Sequence, residues 1–267
     1  MLADKFPDRY IKELVGLYKS AYLDILKEQK KITVSATLRN KLILQRIDDE
    51  LKKLDKETLK YLKKQVPEVY KIGSDSVIND SKKQGILITK KSFSRIHTKA
   101  VNQIVKESYI DFSNAMRVVS RDSERLVAEA VKLQMRNELA KGIIKGDTIR
   151  TSKEAIAKVL SDTGAVALKD KGGKVWQLDT YAEMLSRTKM MHAHNDGVKN
   201  RMIENGYDLV EVSSHPDSSA LCKPWQGKIY SLTGKTKGYK MLSEAIDGGL
   251  FRPNCRHTIS IYHKKFN

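Results

Sequence analysis

Apolar residues recur at steps of three and four over three long stretches of the first 160 positions, and this periodicity constrains the fold more than any other feature. Residues 8–29 carry Ile11, Leu14, Tyr18, Tyr22, Ile25 and Leu26 on one side, with Lys and Glu on the other. Residues 35–65 repeat the pattern with Leu44, Ile47, Leu51, Leu54 and Leu62. Residues 94–139 do so with Val101, Ile104, Val105, Tyr109 and Phe112, then Val118, Leu126, Val127, Val131 and Leu139. A spacing of 3.6 puts each set on one face of a helix, which must then be buried. Ser35 suits an N-cap, Pro67 is expected to stop or kink the second helix, and SRDS at 120–123 to interrupt the third. Gly85 marks a break, Gly142 and Gly146 end the run, and SKEAIAKVLSD reads as a short helix.

Near Gly164 the texture changes. AVALKD and KVWQLD flank the turn KGGK as a hairpin. A helix from about Thr180 to Asn205, ended by Gly206, precedes the strands DLVEVSSH and GKIYSLTG, the short helix KMLSEAIDGG and a last strand HTISIYH. Strands and helices mix without β-α-β alternation. The fold class expected is α+β, a long-helix N-terminal part (1–160) followed by a small mixed α+β C-terminal domain (161–267), with the boundary between Lys145 and Gly164.

Charge limits the partners. Fifty Lys and Arg against 32 Asp and Glu leave a net charge of +18 over 267 residues. Such an excess attracts polyanions, double-stranded DNA above all, without sequence preference; the alternative is a solvated lysine-rich helix surface. No zinc-finger spacing, basic zipper or RNA-binding aromatic motif accompanies it. No run of about 18 apolar residues predicts a membrane span, and no signal-peptide pattern opens the chain, so synthesis in a cytoplasm without export is expected.

The chemistry-bearing residues cluster late. His215, Cys222, Cys255 and His257 fall in SSHPDSSALCKPWQGKIYS and GLFRPNCRHTISIY. On an extended segment Cys255 and His257 point the same way, and two such segments brought together would set four donors around one tetrahedral zinc. The bland reading is two buried thiols and two hydrogen-bonded imidazoles. A third reading makes Cys222 a nucleophile with His257 or His215 as base, in a metal- or thiol-dependent hydrolase or nuclease, although no nucleophile signature surrounds it. On the helix at 180–205, Thr188 and Asn195 interrupt the stripe of Tyr181, Met184, Met191, Val198 and Met202. They form either a buried polar network, with the adjacent Arg187 meeting the Cys/His cluster, or an exposed stripe edge. His192 and His194, two apart on a helix, do not suit one metal. Trp225 reads as a core anchor, and Asp208 and Glu211 as solvated strand ends.

From Tyr181 to Tyr262 the chain resembles the phage minor capsid protein 2 family and, more distantly, the Mu F-like head morphogenesis proteins. EMLSRT, GYDLVEVSSH, CKPWQGKIYSLTG and GLFRPNCRHTISIY carry the likeness, about a third of the chain. The helices carry no matching motif. The family often has a further cysteine shortly before Cys222, where this sequence reads PDSSAL. The resemblance implies a structural, low-copy virion component of the phage head, close to the portal and capsid proteins and to packaged DNA, with no established catalytic activity.

Overall fold

The periodic stretches fold as helices, and burial decides how far each extends. The computed structural model describes residues 8–32, 37–89, 92–141, 167–169 and 175–263. In chain order these form α1 (Asp8–Gln29), α2 (Thr37–Lys83), α3 (Arg95–Lys141), β1 (Ala167–Lys169), β2 (Val175–Gln177), α4 (Leu178–Glu204), β3 (Leu209–Val212), β4 (Ile229–Ser231), α5 (Leu242–Asp247) and β5 (Ile259–Ile261). The class is α+β, mostly helical with small antiparallel sheets. Among the described residues no helix is long and apolar enough to cross a membrane. Ser35, the turn KGGK, the segment SKEAIAKVLSD and the expected boundary between Lys145 and Gly164 lie outside the described residues.

Neither Pro67 nor SRDS ends its helix. α2 does not stop at Pro67 but runs on to Lys83. Proline removes one helical hydrogen bond and costs about 3 kcal/mol. Leu62, Val66, Val69 and Tyr70 around it are all fully buried, and each such burial contributes about 1.5–3 kcal/mol. α3 likewise passes through SRDS without interruption. There Ser120 donates to Asp48 (3.1 Å), while Ser123 donates to the Val119 carbonyl (2.9 Å) and accepts from Gln29 (3.0 Å). Hydroxyls that compete with the backbone elsewhere find partners inside the helical packing here.

The chain divides into two compact units, one of Glu13–Leu59 and Ile110–Glu183, the other of Met1–Lys12, Lys60–Tyr109 and Met184–Asn267. The first is helix on helix. Leu14, Tyr18 and Ile25 of α1 are buried, as are Ile43, Ile47, Leu51 and Leu54 of α2 and Phe112, Met116 and Val119 of α3. The rings of Tyr18 and Phe112 meet at 5.5 Å. β1 and β2 pair antiparallel, as expected of the two runs that flank KGGK in the sequence.

The second unit holds the functional candidates. Its sheet has the order β4-β3-β5, all antiparallel, with Val210 opposite both Tyr230 and Ile261, and Val212 opposite Ile259. Those residues share a core with Val198 and Met202 of α4, Leu242 and Ala245 of α5, and Val77, Ile86 and Ile88 from the end of α2 and beyond. Two helices feed it by the same device. Gly85 and Gly206 take the left-handed conformation (φ 64° and 78°), and the next residue, Ile86 or Tyr207, returns its N–H to Ser81 or Met202. Trp225 packs against this core and donates its indole N–H to the Gly248 carbonyl (3.1 Å), an anchor as expected.

α4 is the spine of this unit, with no exposed residue from Met184 to Met202. It crosses α2 at two glycines. A Cβ on Gly73 would lie 2.0 Å from the His194 carbonyl oxygen, and one on Gly197 2.1 Å from that of Tyr70. Arg201 is fully buried, donating to Ser74 (2.9 Å), to the Ser92 carbonyl (2.9 Å) and to Glu204 (3.3 Å). Glu204 continues to His97 (3.0 Å), and His97 to the Tyr70 hydroxyl (3.0 Å). Burial pushes the Glu204 carboxyl up, yet the Ser94 hydroxyl, His97 and Arg201 hold it below its usual range.

Glu211 is exposed, as a solvated strand residue should be, but Asp208 is not free in solvent. It accepts from the hydroxyls of Ser231 (2.6 Å), Thr233 (2.7 Å) and Thr236 (2.7 Å) and from the amides of Thr233 (2.8 Å) and Thr236 (3.1 Å). Burial alone would raise this carboxyl. The Ser231, Thr236 and Thr233 bonds outweigh it and hold Asp208 well below the usual carboxylate range.

Replacing Gly73 by Ala should lower stability by about 3 kcal/mol, because the obstacle is backbone and cannot rotate away. Gly16→Ala, in α1 with nothing within 4 Å, should instead raise it by about 0.5–1 kcal/mol; urea melts of the two variants check both signs. A depressed carboxyl stabilises the fold above its unfolded pKa of about 4 and loses that contribution as pH falls toward the folded value. Asp208→Asn should therefore cost about 2 kcal/mol at pH 7, and its denaturation midpoint should converge on that of the parent chain between pH 4 and pH 2.

Candidate metal centre

Two loops at one end of the three-stranded sheet carry the Cys/His residues. The first, 213–227, leaves β3 and returns to β4, its base closed where the Gly227 N–H meets the Val212 carbonyl (2.9 Å) and the Val212 N–H that of Lys228 (3.0 Å). Within it the amides of Cys222 and Lys223 both reach the Ser219 carbonyl (2.9 and 3.0 Å). That tight turn points Cys222 inward, where it is buried.

The second loop, 251–258, precedes β5. Phe251 and Asn254 have φ of 58° and 67°, conformations unfavourable for residues other than glycine. α4 holds them there. His192 donates to the Phe251 carbonyl (2.9 Å), and Thr188 accepts the Asn254 N–H (3.1 Å) while donating to Met184 (2.7 Å). Asn195 donates to the His257 carbonyl (3.2 Å) and accepts from the Ile259 N–H (3.2 Å). The polar interruptions of the α4 stripe are thus a buried network and not an exposed edge: Thr188 is 8% and Asn195 2% exposed. The guanidinium of Arg187 faces Asp8 (3.5 Å). The loops are tied to each other by Ser213, whose N–H meets the Thr258 carbonyl (2.9 Å) and whose hydroxyl accepts the Thr258 N–H (2.9 Å).

These restraints bring three of the four sequence candidates to one point. Cys222 and Cys255 are free thiols with sulfurs 4.0 Å apart, and Cys255 Sγ is 3.2 Å from His257 Nδ1. The donor atoms of Cys222, Cys255 and His257 all lie within 4.8 Å of one another. Tetrahedral zinc, with bonds of about 2.3 Å to sulfur and about 2.0 Å to nitrogen, would need edges of about 3.8 and 3.5 Å, close to the 4.0 Å between the sulfurs and the 3.2 Å between Cys255 and His257. His215 stands beside them. Its ring meets that of His257 edge-on at 4.9 Å, and its Nε2 faces the Ser213 hydroxyl (3.1 Å). His192 and His194, set aside from the sequence, go to Phe251 and Asn195.

The electrostatics favour a neutral imidazole. Burial, with His215 alongside, pushes His257 down to about 4, and burial beside Cys222 pushes the Cys255 thiol up. The thiol 3.2 Å from His257 Nδ1 is that of Cys255, and its shift is the opposite of what a nucleophilic cysteine needs.

Sequence reasoning missed Gln226. Its Oε1 accepts from the His215 N–H (3.1 Å) and the Ser218 hydroxyl (2.8 Å) and lies 3.0 Å from His257 Nε2. No spacing rule marks a glutamine between Trp225 and Gly227; only the meeting of the two loops gives it a role.

With this geometry in view, comparison with known proteins is informative. The family model described as phage minor capsid protein 2 matches residues 3–267, the helices included, although these carry no motif legible by eye. A protein of Lactococcus phage LL-H described as a structural protein is 26% identical over an alignment 197 residues long, a match that covers 66% of this chain and 51% of that protein. The chain thus spans about half the length of this relative. No solved structure matches. A match over nearly every residue places the chain in a family: it belongs to the phage minor capsid protein 2 family.

Proposed function

We propose that this chain is a structural virion protein of a tailed double-stranded DNA phage head, seated near the portal, touching packaged DNA without sequence preference and carrying a structural zinc in its C-terminal loops. The family match over residues 3–267 carries the reading, and the relative's description as a structural protein agrees with it. In this reading the helical residues 1–160 supply the contacts to portal and capsid proteins. Residues 161–267 form the minor capsid domain, made with the rest of the chain in the host cytoplasm. The net charge of +18 supports DNA as the neighbour.

The metal part rests on Cys222, Cys255 and His257, with His215 as the fourth donor after a rotation of its ring. Zinc would staple the β3–β4 loop to the loop before β5. Metal-binding free energy there becomes folding free energy.

Two measurements test the two parts. DNA affinity should fall about a thousandfold or more between 50 and 200 mM salt if six or more phosphates are contacted, equally for unrelated sequences; a sequence-selective complex that survives high salt overturns the DNA part. Elemental analysis of protein purified without a metal-binding tag should give one zinc per chain, and Cys222→Ala should lose the metal and lower the melting temperature. Zinc-free protein whose melting is unmoved by added zinc overturns the metal part.

A further inference from the structure

The hydrogen bonds around Gln226 determine more than the position of a loop. A side-chain amide has an acceptor end and a donor end, and its orientation follows from its neighbours. Here one neighbour is decisive. The backbone N–H of His215 can only donate, and it points at Gln226 from 3.1 Å. The atom it meets must be the carbonyl oxygen Oε1, which the Ser218 hydroxyl also approaches (2.8 Å). His257 Nε2 lies 3.0 Å from that same oxygen, and an oxygen that only accepts requires Nε2 to carry the proton.

The consequence appears on the other side of the ring. A neutral imidazole protonated at Nε2 has its lone pair on Nδ1. Nδ1 faces Cys255 Sγ at 3.2 Å, and the Cys222 sulfur completes the group. Without metal, the Cys255 thiol donates to that lone pair. With metal, both thiols release their protons and Nδ1 binds directly.

We infer that Gln226 is the positioning residue of this centre, holding His257 with its proton on Nε2 so that Nδ1 and the two cysteine sulfurs converge on one soft divalent cation. The inference rests on the metal reading of the loops and adds the residue that sets the ligand's tautomer. Outer partners of a metal-bound histidine fix its ring and its basicity, and their loss costs about 10–100-fold in affinity. Gln226 acts on the centre through His257 Nε2 and through the backbone N–H of His215. It also joins the two loops, since it takes the His215 N–H from one and the His257 N–H from the other.

The test uses the full chain, cobalt(II) as the probe, and two variants. Gln226→Glu keeps an acceptor oxygen at the same reach; Gln226→Met keeps the length and removes the acceptor. Cobalt titration followed by sulfur-to-metal charge-transfer absorption should show the parent chain and Gln226→Glu binding alike, and Gln226→Met about 10–100-fold more weakly. Nitrogen-15 correlation spectra of the metal-free parent chain should show the His257 proton on Nε2, an observation that needs no variant to fold. Cobalt affinity in Gln226→Met equal to the parent's, or a parent His257 protonated on Nδ1, overturns the inference and leaves the metal reading standing. A parent chain that takes up no cobalt overturns the metal reading and this inference with it.

Discussion

The crossing of α2 and α4 is the constraint on which the second unit depends. Gly73 and Gly197 leave so little space that each backbone rests against a carbonyl of the other helix. At that separation no side chain can mediate, so the rotation and height of α4 are fixed by main-chain contact. Arg201 and Glu204 then lie beside Ser74 and His97, where a buried guanidinium can be satisfied only by partners at set distances. A charge network of this kind contributes little net stability, but removing one partner leaves a buried charge unpaired.

With α4 fixed, its other faces become a template. Val198 and Met202 meet the sheet, while Thr188, His192 and Asn195 present polar groups to the loop before β5. That loop contains two non-glycine residues at positive φ, a conformation the free chain would avoid. Each strained position is matched by a hydrogen bond from the helix at or beside it. The strain is therefore offset locally, and its product is the direction of Cys255 and His257.

The Cys/His cluster is built inward from there. One sulfur comes from a turn after β3, while the other sulfur and the imidazole come from the segment before β5. Ser213 and Gln226 bond across the gap between them. Burial keeps the His257 imidazole neutral and raises the Cys255 thiol.

The helices were legible from the sequence because a stripe at 3.6-residue spacing is a local property, and burying it was the only available outcome. The same holds for the β1–β2 hairpin, the alternating strands and the glycine that ends α4. Breaks inside helices were not legible. Pro67 and SRDS carry local costs that only packing around Leu62, Tyr70 and Asp48 offsets, and such packing has no signature in the flanking residues. Cys222, Cys255 and His257 were readable as ligand types, and the two-residue spacing of Cys255 and His257 gave their shared direction. Gln226, Ser213, Gly73 and Gly197 were invisible, since each acts on a residue distant in the chain. Asp208 looked solvated because its five donors come from positions 231–236. What the sequence determined by itself was the set of elements, the family and the chemistry available, all of which depend on neighbours in the chain. Which polar groups met, and therefore which nitrogen of His257 faces the sulfurs, was decided only when the tertiary structure joined two loops against one helix.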